Sequence, residues 1–364
     1  MKPDNGSRTA RAVPGPEKEP IICHTFDLTD PEGCCRELEK RRSNTMKATT
    51  EKTDFLSSAT GILIAAIAAN LLWGSAPAFI KLGYRAFAIA GGDVMEQILF
   101  AGVRFTLAGV LTVLLGSLLR RRILLPKRSS GGMIPVLATV QTVIQYAFYY
   151  IGLSRAPGYK ASIIAPTSTF FALLIAALLF RQEKLTAKKL LGCLIGFAGV
   201  VVVSLSGQFG GGVRLVGEGF LVFSAAAYGC ASVLIKRYSL REDPIVLSGW
   251  QFILGGLLMT VAGLIGGGRL NAVDTAAWVI MIYLGFLSAI AYMLWSLLLQ
   301  RHPVSRIMVF SFLNPVFGVL LSAVLLDEYK ALSIPRCLLA MLLVCIGVWI
   351  VNYPGKETIS ENKL

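Results

Sequence analysis

One cation lies deep in an apolar run. Arg104 stands about ten residues into the stretch 94–119, inside Leu99-Phe-Ala-Gly-Val-Arg104-Phe105. At the centre of a bilayer such a charge costs at least ~2.5 kcal/mol, so it is expected to be paired or to face a pathway. It could hold a substrate carboxylate. It could equally be a structural arginine that bonds helix-end carbonyls or reaches toward Glu96 two turns away. The second feature is Asn314-Pro315, which opens the apolar stretch that closes on Asp327-Glu328. Proline removes a backbone donor. In lipid the freed carbonyls survive only beside protein or a water-lined cavity. A broken helix with an amide at the break is therefore a candidate ligand site, the other reading being a kinked packing helix.

Amides and aromatics recur at helical spacing around these two features. Asn70, Trp73 and Pro77 share one face of their stretch, Gln141, Gln145, Tyr146 and Tyr149 line another, and Tyr292, Trp295 and Ser296 a third. Such groups avoid lipid, so the stripes face protein or a cavity. Singly, each reads as an interhelical hydrogen bond, but together they favour a pocket. The expected substrate pathway is Asn70, Trp73, Arg104, Gln145, Tyr146, Tyr292, Trp295, Asn314 and Pro315. Lys81 and Lys236 end their spans and are expected to snorkel to the interface.

Other chemistries find no support. Asp93, Glu96, Glu183, Glu218, Asp327 and Glu328 all lie near span ends, which disfavours a midplane carboxylate relay. There is no phosphate-binding loop, metal-binding helix motif or nucleophile triad. His302 stands at a loop edge. Cys23-His24 and Cys34-Cys35 match no zinc spacing, and Cys193, Cys230, Cys337 and Cys345 read as packing residues. No catalytic group, metal or cofactor is expected.

The elements that position these residues must be membrane helices. The chain has 364 residues, 55% hydrophobic and 15% charged, with a mean hydropathy of +0.66. A soluble domain carries roughly 25% charge. Ten apolar runs are expected as spans, at about 58–81, 94–119, 133–153, 160–180, 189–205, 217–235, 246–266, 276–299, 305–326 and 334–352. Residues 1–57 read as a polar disordered tail with Met46 as an alternative start, 207–216 as a Gly-rich linker, and 353–364 as a C-terminal tail. The net charge of +14 points to anionic lipid and not nucleic acid, because the basic residues cluster at span ends. The loops after spans 2, 4, 6 and 8 are the basic ones, which puts both termini in the cytoplasm. Compact loops without a targeting signal fit a bacterial plasma membrane.

The chain also repeats itself. A shift of 146 maps Phe171-Ala172 onto Phe317-Gly318 and Tyr146 onto Tyr292. A shift of 147 maps Arg104-Phe105 onto Gln251-Phe252, and one of 155 maps Trp73-Gly74 onto Tyr228-Gly229. A duplicated chain explains these matches. With an odd number of spans per half, the second copy lies inverted, at 58–206 and 217–352. That architecture suits alternating access. Gly192 and Gly196 form a small-residue pair that reads as close helix packing or, more sharply, as a homodimer contact.

These features resemble the drug/metabolite transporter superfamily, specifically its EamA-type permeases. The residues that carry the likeness are Asn70-Leu-Leu-Trp73-Gly74-Ser-Ala-Pro77 with Lys81, Arg104-Phe105, and Tyr149-Tyr-Ile-Gly-Leu153. Pro315…Asp327-Glu328 and its partner ending Glu183-Lys-Leu-Thr186, followed by Gly192…Gly196…Gly199, carry it too. It covers roughly 58–352. The resemblance implies ten helices in two inverted halves around a central cavity, with spans 5 and 10 at the periphery, and export of small metabolites, amino acids or related compounds, or small drugs. Two features stand out: Pro166 lies farther from Glu183 than Pro315 does from Glu328, and Gln251 stands where the other half has Arg104. The rival expectation is a membrane scaffold or a lipid-modifying enzyme.

Overall fold

A computed structural model describes residues 58–180, 185–204, 215–301, 310, 313–330 and 333–352. The tails, residues 207–214 of the Gly-rich linker, Glu183 and His302 lie outside the described residues, as do Cys23, His24, Cys34, Cys35 and the side chain of Ser296.

Among the described residues, ten helical rods follow in order: α1 Ala59–Ala86, α2 Val94–Arg120, α3 Met133–Arg155, α4 Gly158–Leu178, α5 Ala187–Ser204, α6 Leu215–Tyr238, α7 Pro244–Ile265, α8 Thr275–Arg301, α9 Leu313–Leu325 and α10 Ile334–Asn352. Eight of them contain a window long and apolar enough to cross a membrane, and α9 is a shorter apolar helix. The protein is an all-α polytopic membrane protein. Its outer belt is apolar, with Leu118 76%, Val324 74% and Leu194 61% exposed. In water that belt would aggregate, whereas in lipid it is matched to its solvent. Helices α5 and α10 pair with each other and turn Leu191, Leu194, Leu342 and Trp349 outward.

The halves are inverted in the packing itself. Helices α2 and α7 occupy matching places in the repeat and form the most extensive helix pair. Glycines at 102, 109, 256 and 263 let their backbones touch, with Gly102 against Thr260, Gly109 against Ile253, Gly256 against Thr106 and Gly263 against Leu99. Numbers rise on one helix as they fall on the other, so the equivalent helices run antiparallel. A second glycine pair repeats one joint. A Cβ on Gly74 would stand 2.8 Å from Phe317 Cβ and 3.1 Å from the Asn314 carbonyl; one on Gly229 would stand 2.8 Å from Phe171 Cβ and 2.9 Å from the Ser168 carbonyl. Thus α1 docks on α9 as α6 docks on α4.

Local sequence explains where the rods begin and break. Ser58 Oγ accepts the Gly61 N–H at 3.0 Å, and Asp243 caps α7 through the Ile245 N–H at 2.9 Å. In α4, Pro166 falls in a 3-10 turn, Ala165–Thr167, that separates Gly158–Ile164 from Ser168–Leu178, which locates the first-half break. Helix α3 carries a π-helical stretch, Ala138–Ile144, that periodicity did not announce. The Gly192 and Gly196 face is taken by Gly347 of α10 in the same chain.

Lys81 departs from expectation. Helix α1 runs on to Ala86, so Lys81 is not its end. Instead of snorkelling, its Nζ donates to the Ala156 carbonyl at 2.8 Å and pairs with Glu328 at 3.3 Å. A carboxylate within reach holds an ammonium better than a solvated interface does when the stem is largely buried.

Candidate functional site

A cavity of about 670 Å³ opens between the halves. Its wall carries Asn70, Trp73, Arg104, Gln145, Tyr146, Tyr292, Trp295 and Asn314, eight of the nine residues expected on the pathway. Pro315 is buried in the first turn of α9 and is not on the wall. Gln141 also stays off it, buried and bonded to Gln251.

Aromatics related by the repeat pack on and behind the cavity wall. Phe105 and Phe252 lie 5.3 Å apart between ring centroids, Phe105 stacks on Tyr146 at 3.9 Å, and Phe252 meets Tyr292 edge-on at 5.0 Å. The Tyr146 and Tyr292 hydroxyls meet at 3.1 Å across the junction. Trp73 packs edge-on against Tyr292 at 5.4 Å and Trp295 at 5.2 Å. Such offset and edge contacts are the favoured aromatic geometries.

Arg104 is 3% exposed. Its Nη1 donates to the Tyr150 hydroxyl, its Nη2 to Ser288 Oγ at 2.9 Å and its Nε to the Leu284 carbonyl at 3.3 Å. The guanidinium carbon also stands 4.8 Å from the Phe105 ring centroid. It therefore turns across the bundle to α3 and α8, not along its own helix to Glu96. Every partner is neutral, and among the described residues it makes no ion pair. Charge-assisted hydrogen bonds contribute about 1.5–3 kcal/mol each, enough to hold the group in place, but they leave its charge uncancelled.

Two other wall residues carry unmet polar atoms. Asn70 donates Nδ2 to the Ala66 carbonyl at 2.8 Å, while its Oδ1 has no partner; Gln145 Oε1 likewise has none. No Asp or Glu stands on the wall among the described residues.

The cavity has unlike ends. At the end of the bundle carrying Ser58, Arg120 and Tyr238, its lining continues to Ser239, Pro244 and the exposed Lys236. At the far end, Glu328 accepts from the Gly158 N–H at 2.9 Å and the Tyr159 N–H at 3.2 Å while holding Lys81. The next residue, Lys160, forms a buried pair with Glu218 at 2.7 Å. Three consecutive residues at the start of α4 are thus clamped to α1, α6 and the end of α9. Asp327, at φ 56°, turns the chain sharply ahead of Glu328.

Several wall residues were not anticipated: Ser162, Ser168 and Thr169 on α4, Ser224 and Tyr228 on α6, and Ser288 on α8. Tyr228 had a signal, since the shift of 155 makes it the counterpart of Trp73. The serines and the threonine had none, because small hydroxyl residues pack in membrane helices for many reasons.

Comparison with known proteins agrees with this geometry. The chain is 26% identical to an uncharacterized transporter, YvbV, of Bacillus subtilis, over 71% of this chain and 83% of that one. It is 26% identical to a probable amino-acid metabolite efflux pump of Escherichia coli, over 75% of this chain and 89% of that one. A crystal structure 20% identical in sequence matches with a TM-score of 0.57, over 84% of this chain and all of the other, a likeness of fold. The family model of EamA-like transporters matches residues 60–205 and 215–353, nearly the whole helical part of the molecule. The chain belongs to the EamA-like transporter family.

Proposed function

We propose that the protein is a secondary transporter that exports small metabolites, amino acids or related compounds, across the plasma membrane by alternating access. The observation that carries this reading is the cavity, reaching the surface at one end of the bundle and closed by ion pairs at the other. The basic loops favour a cytoplasmic open end, as the loading state of an exporter would have. The relatives include a protein named as an amino-acid metabolite efflux pump, which favours the same direction and class. Asn70, Trp73, Arg104, Gln145, Tyr146, Tyr292, Trp295 and Asn314 would shape the route, with Pro315 setting the start of α9. Both termini would then be cytoplasmic.

Inverted halves supply the means. An arrangement closed at the far end and open at the near end can exchange roles when each half adopts the other's conformation. Outward opening must part the start of α4 from Glu328 and Glu218.

The test compares metabolites outside cells expressing the wild type or Asn314→Ala at equal membrane levels. A metabolite enriched outside wild-type cells alone supports export; identical profiles, with uptake also absent, overturn it. Glu328→Gln addresses the gate. A single cysteine placed at Ser162, beneath the clamp, should react severalfold faster with an impermeant maleimide from outside once Glu328 is neutralised. An unchanged rate would remove the clamp from the mechanism.

A further inference from the structure

One stretch of surface sets cations beside bare hydrocarbon. The loops 121–132 and 239–243 lie together at the open end of the bundle. Glu242 ties them by accepting from Ser130 Oγ and the Lys127 N–H, and Lys127 Nζ donates to the Arg241 carbonyl at 3.2 Å. The longer loop is also anchored from beneath. Leu124 is 2% exposed, in one cluster with Ile245, Val246 and Leu297, and its carbonyl accepts the Trp250 Nε1–H at 3.0 Å. With Leu124 turned in, its neighbours turn out. Ile123 is 78% and Leu125 64% exposed, and Leu240 on the other loop is 86% exposed. Arg121, Arg122, Lys127, Arg128 and Arg241 are exposed beside them.

We propose that these two loops form a docking site for the anionic phosphodiester headgroup of a phospholipid in the leaflet at that end. The arginines take the phosphate, and Ile123, Leu125 and Leu240 sit among the upper acyl carbons. The site is independent of what the cavity carries.

Charge, apolar exposure and order each bear on it. Residues 121–132 hold four basic residues and no acid. Both carboxylates of the shorter loop are spent inside the fold, Glu242 on the longer loop and Asp243 on Arg120 at 3.2 Å and on the Ile245 N–H. The loops at the far end lack this excess: 87–93 has no basic residue, and 266–274 sets Arg269 against Asp274. Basic side chains next to a membrane helix attract an anionic leaflet, and the guanidinium fork matches phosphate oxygens. The aliphatic tips choose between sources of phosphate. A soluble phosphate leaves them in water, whereas a phospholipid carries hydrocarbon directly below its headgroup. The anchors at Leu124 and Glu242 hold the cations in place beforehand, which lowers the ordering cost of binding. Ser239 and Pro244 also line the open end of the cavity, so a docked headgroup would brace its mouth.

The test places the full-length protein in nanodiscs of phosphatidylcholine alone or with one quarter phosphatidylglycerol, and reads hydrogen exchange at 121–132 and 239–243. Phosphatidylglycerol should slow exchange in both loops at least threefold. Arg122→Gln with Arg128→Gln should remove that slowing. Lys188→Gln with Lys189→Gln takes the same charge from the first turn of α5, at the same end of the bundle, and should preserve it. Leu125→Ser with Leu240→Ser keeps every charge and should lose at least half of it. Inorganic phosphate added to phosphatidylcholine nanodiscs should slow nothing.

Equal loss in the arginine and lysine pairs would overturn the site in favour of diffuse attraction to the surface. Slowing by inorganic phosphate, or full slowing in the serine pair, would overturn the lipid as its occupant. A wild type indifferent to phosphatidylglycerol would end the proposal outright. Exchange of each variant in phosphatidylcholine alone is the folding control. If the arginine pair loosens the loops there, Arg128→Gln alone carries the comparison.

Discussion

The two halves of the molecule agree in backbone and in aromatic residues, and they disagree in charge. Gly74 and Gly229 make the same joint, and Tyr146 and Tyr292 meet hydroxyl to hydroxyl. Yet Arg104 faces Gln251, Asn70 faces Ala225 and Gln145 faces Ala291 across the repeat. A duplicated scaffold repeats the backbone joints without repeating these three polar side chains. The difference teaches that a backbone can be duplicated while its polar side chains diverge.

Erasing the charge difference should have the largest effect. Arg104→Gln makes the halves alike at that position and leaves Tyr150 and Ser288 without their donor. Transport per molecule at the membrane should fall at least tenfold. The reverse change, Gln251→Arg, places a second cation beside the neutral Gln141 and should destabilise the fold by about 3 kcal/mol or more, since no carboxylate waits there. Transport assays and thermal unfolding of both variants decide the matter. If Arg104→Gln transports normally, the asymmetry is not functional.

The shared features should respond in parallel. Gly74→Val and Gly229→Val each push a side chain into a helix backbone already in contact, and overpacking of this kind costs about 1–3 kcal/mol. The two variants should lose similar stability by thermal unfolding. A large difference between them would show that one half carries the fold and that the repeat is only formal.

The asymmetric hydrogen bond at Gln251 comes next. Gln251→Leu leaves Gln141 Oε1 without its donor, at a cost of about 1–3 kcal/mol in stability. Gln251 is not itself on the cavity wall, so substrate preference should be unchanged while the unfolding midpoint drops. A shift in preference would move Gln251 into ligand recognition.

Much of this could be read from the sequence because lipid leaves polar residues few places to go. Arg104, Asn70 and Gln145 stood out against apolar runs, and each lines the cavity. The repeat was visible in the same way, through a few matched positions at nearly constant spacing. What stayed hidden depended on partners distant in the chain. Lys81 looked like an interfacial residue until Glu328, 247 positions later, proved to hold it. The π-helical stretch in α3 and the wall serines had no periodic signature, because one extra residue per turn and a small hydroxyl both fit many settings.

The loops offer the smallest test of the same comparison. Ahead of α2, Gln97 pins its loop with an amide, donating Nε2 to the Ala90 carbonyl at 3.0 Å and the Gly91 carbonyl at 3.2 Å. Ahead of α7, a carboxylate does the equivalent work: Glu242 accepts from Ser130 Oγ at 2.6 Å, from the Lys127 N–H at 2.9 Å and from the Asp243 N–H at 3.0 Å. Burial alone would raise the pKa of Glu242. The hydrogen bonds from Ser130, Lys127 and Asp243, with the Lys127 charge, outweigh it and hold the carboxyl below its ordinary value. A folded pKa below the unfolded one, near ~4.3, stabilises the fold fully above that pH, and the contribution is lost as pH falls through the folded value. Acid should therefore loosen the two loops that Glu242 joins. Hydrogen exchange, corrected for its intrinsic pH dependence, should show residues 121–132 and 239–243 losing protection below about pH 4. Glu242→Gln should lower protection of both segments modestly at neutral pH and abolish their acid response. If Glu242→Gln leaves the acid response of both segments unchanged, this carboxylate is not what holds them.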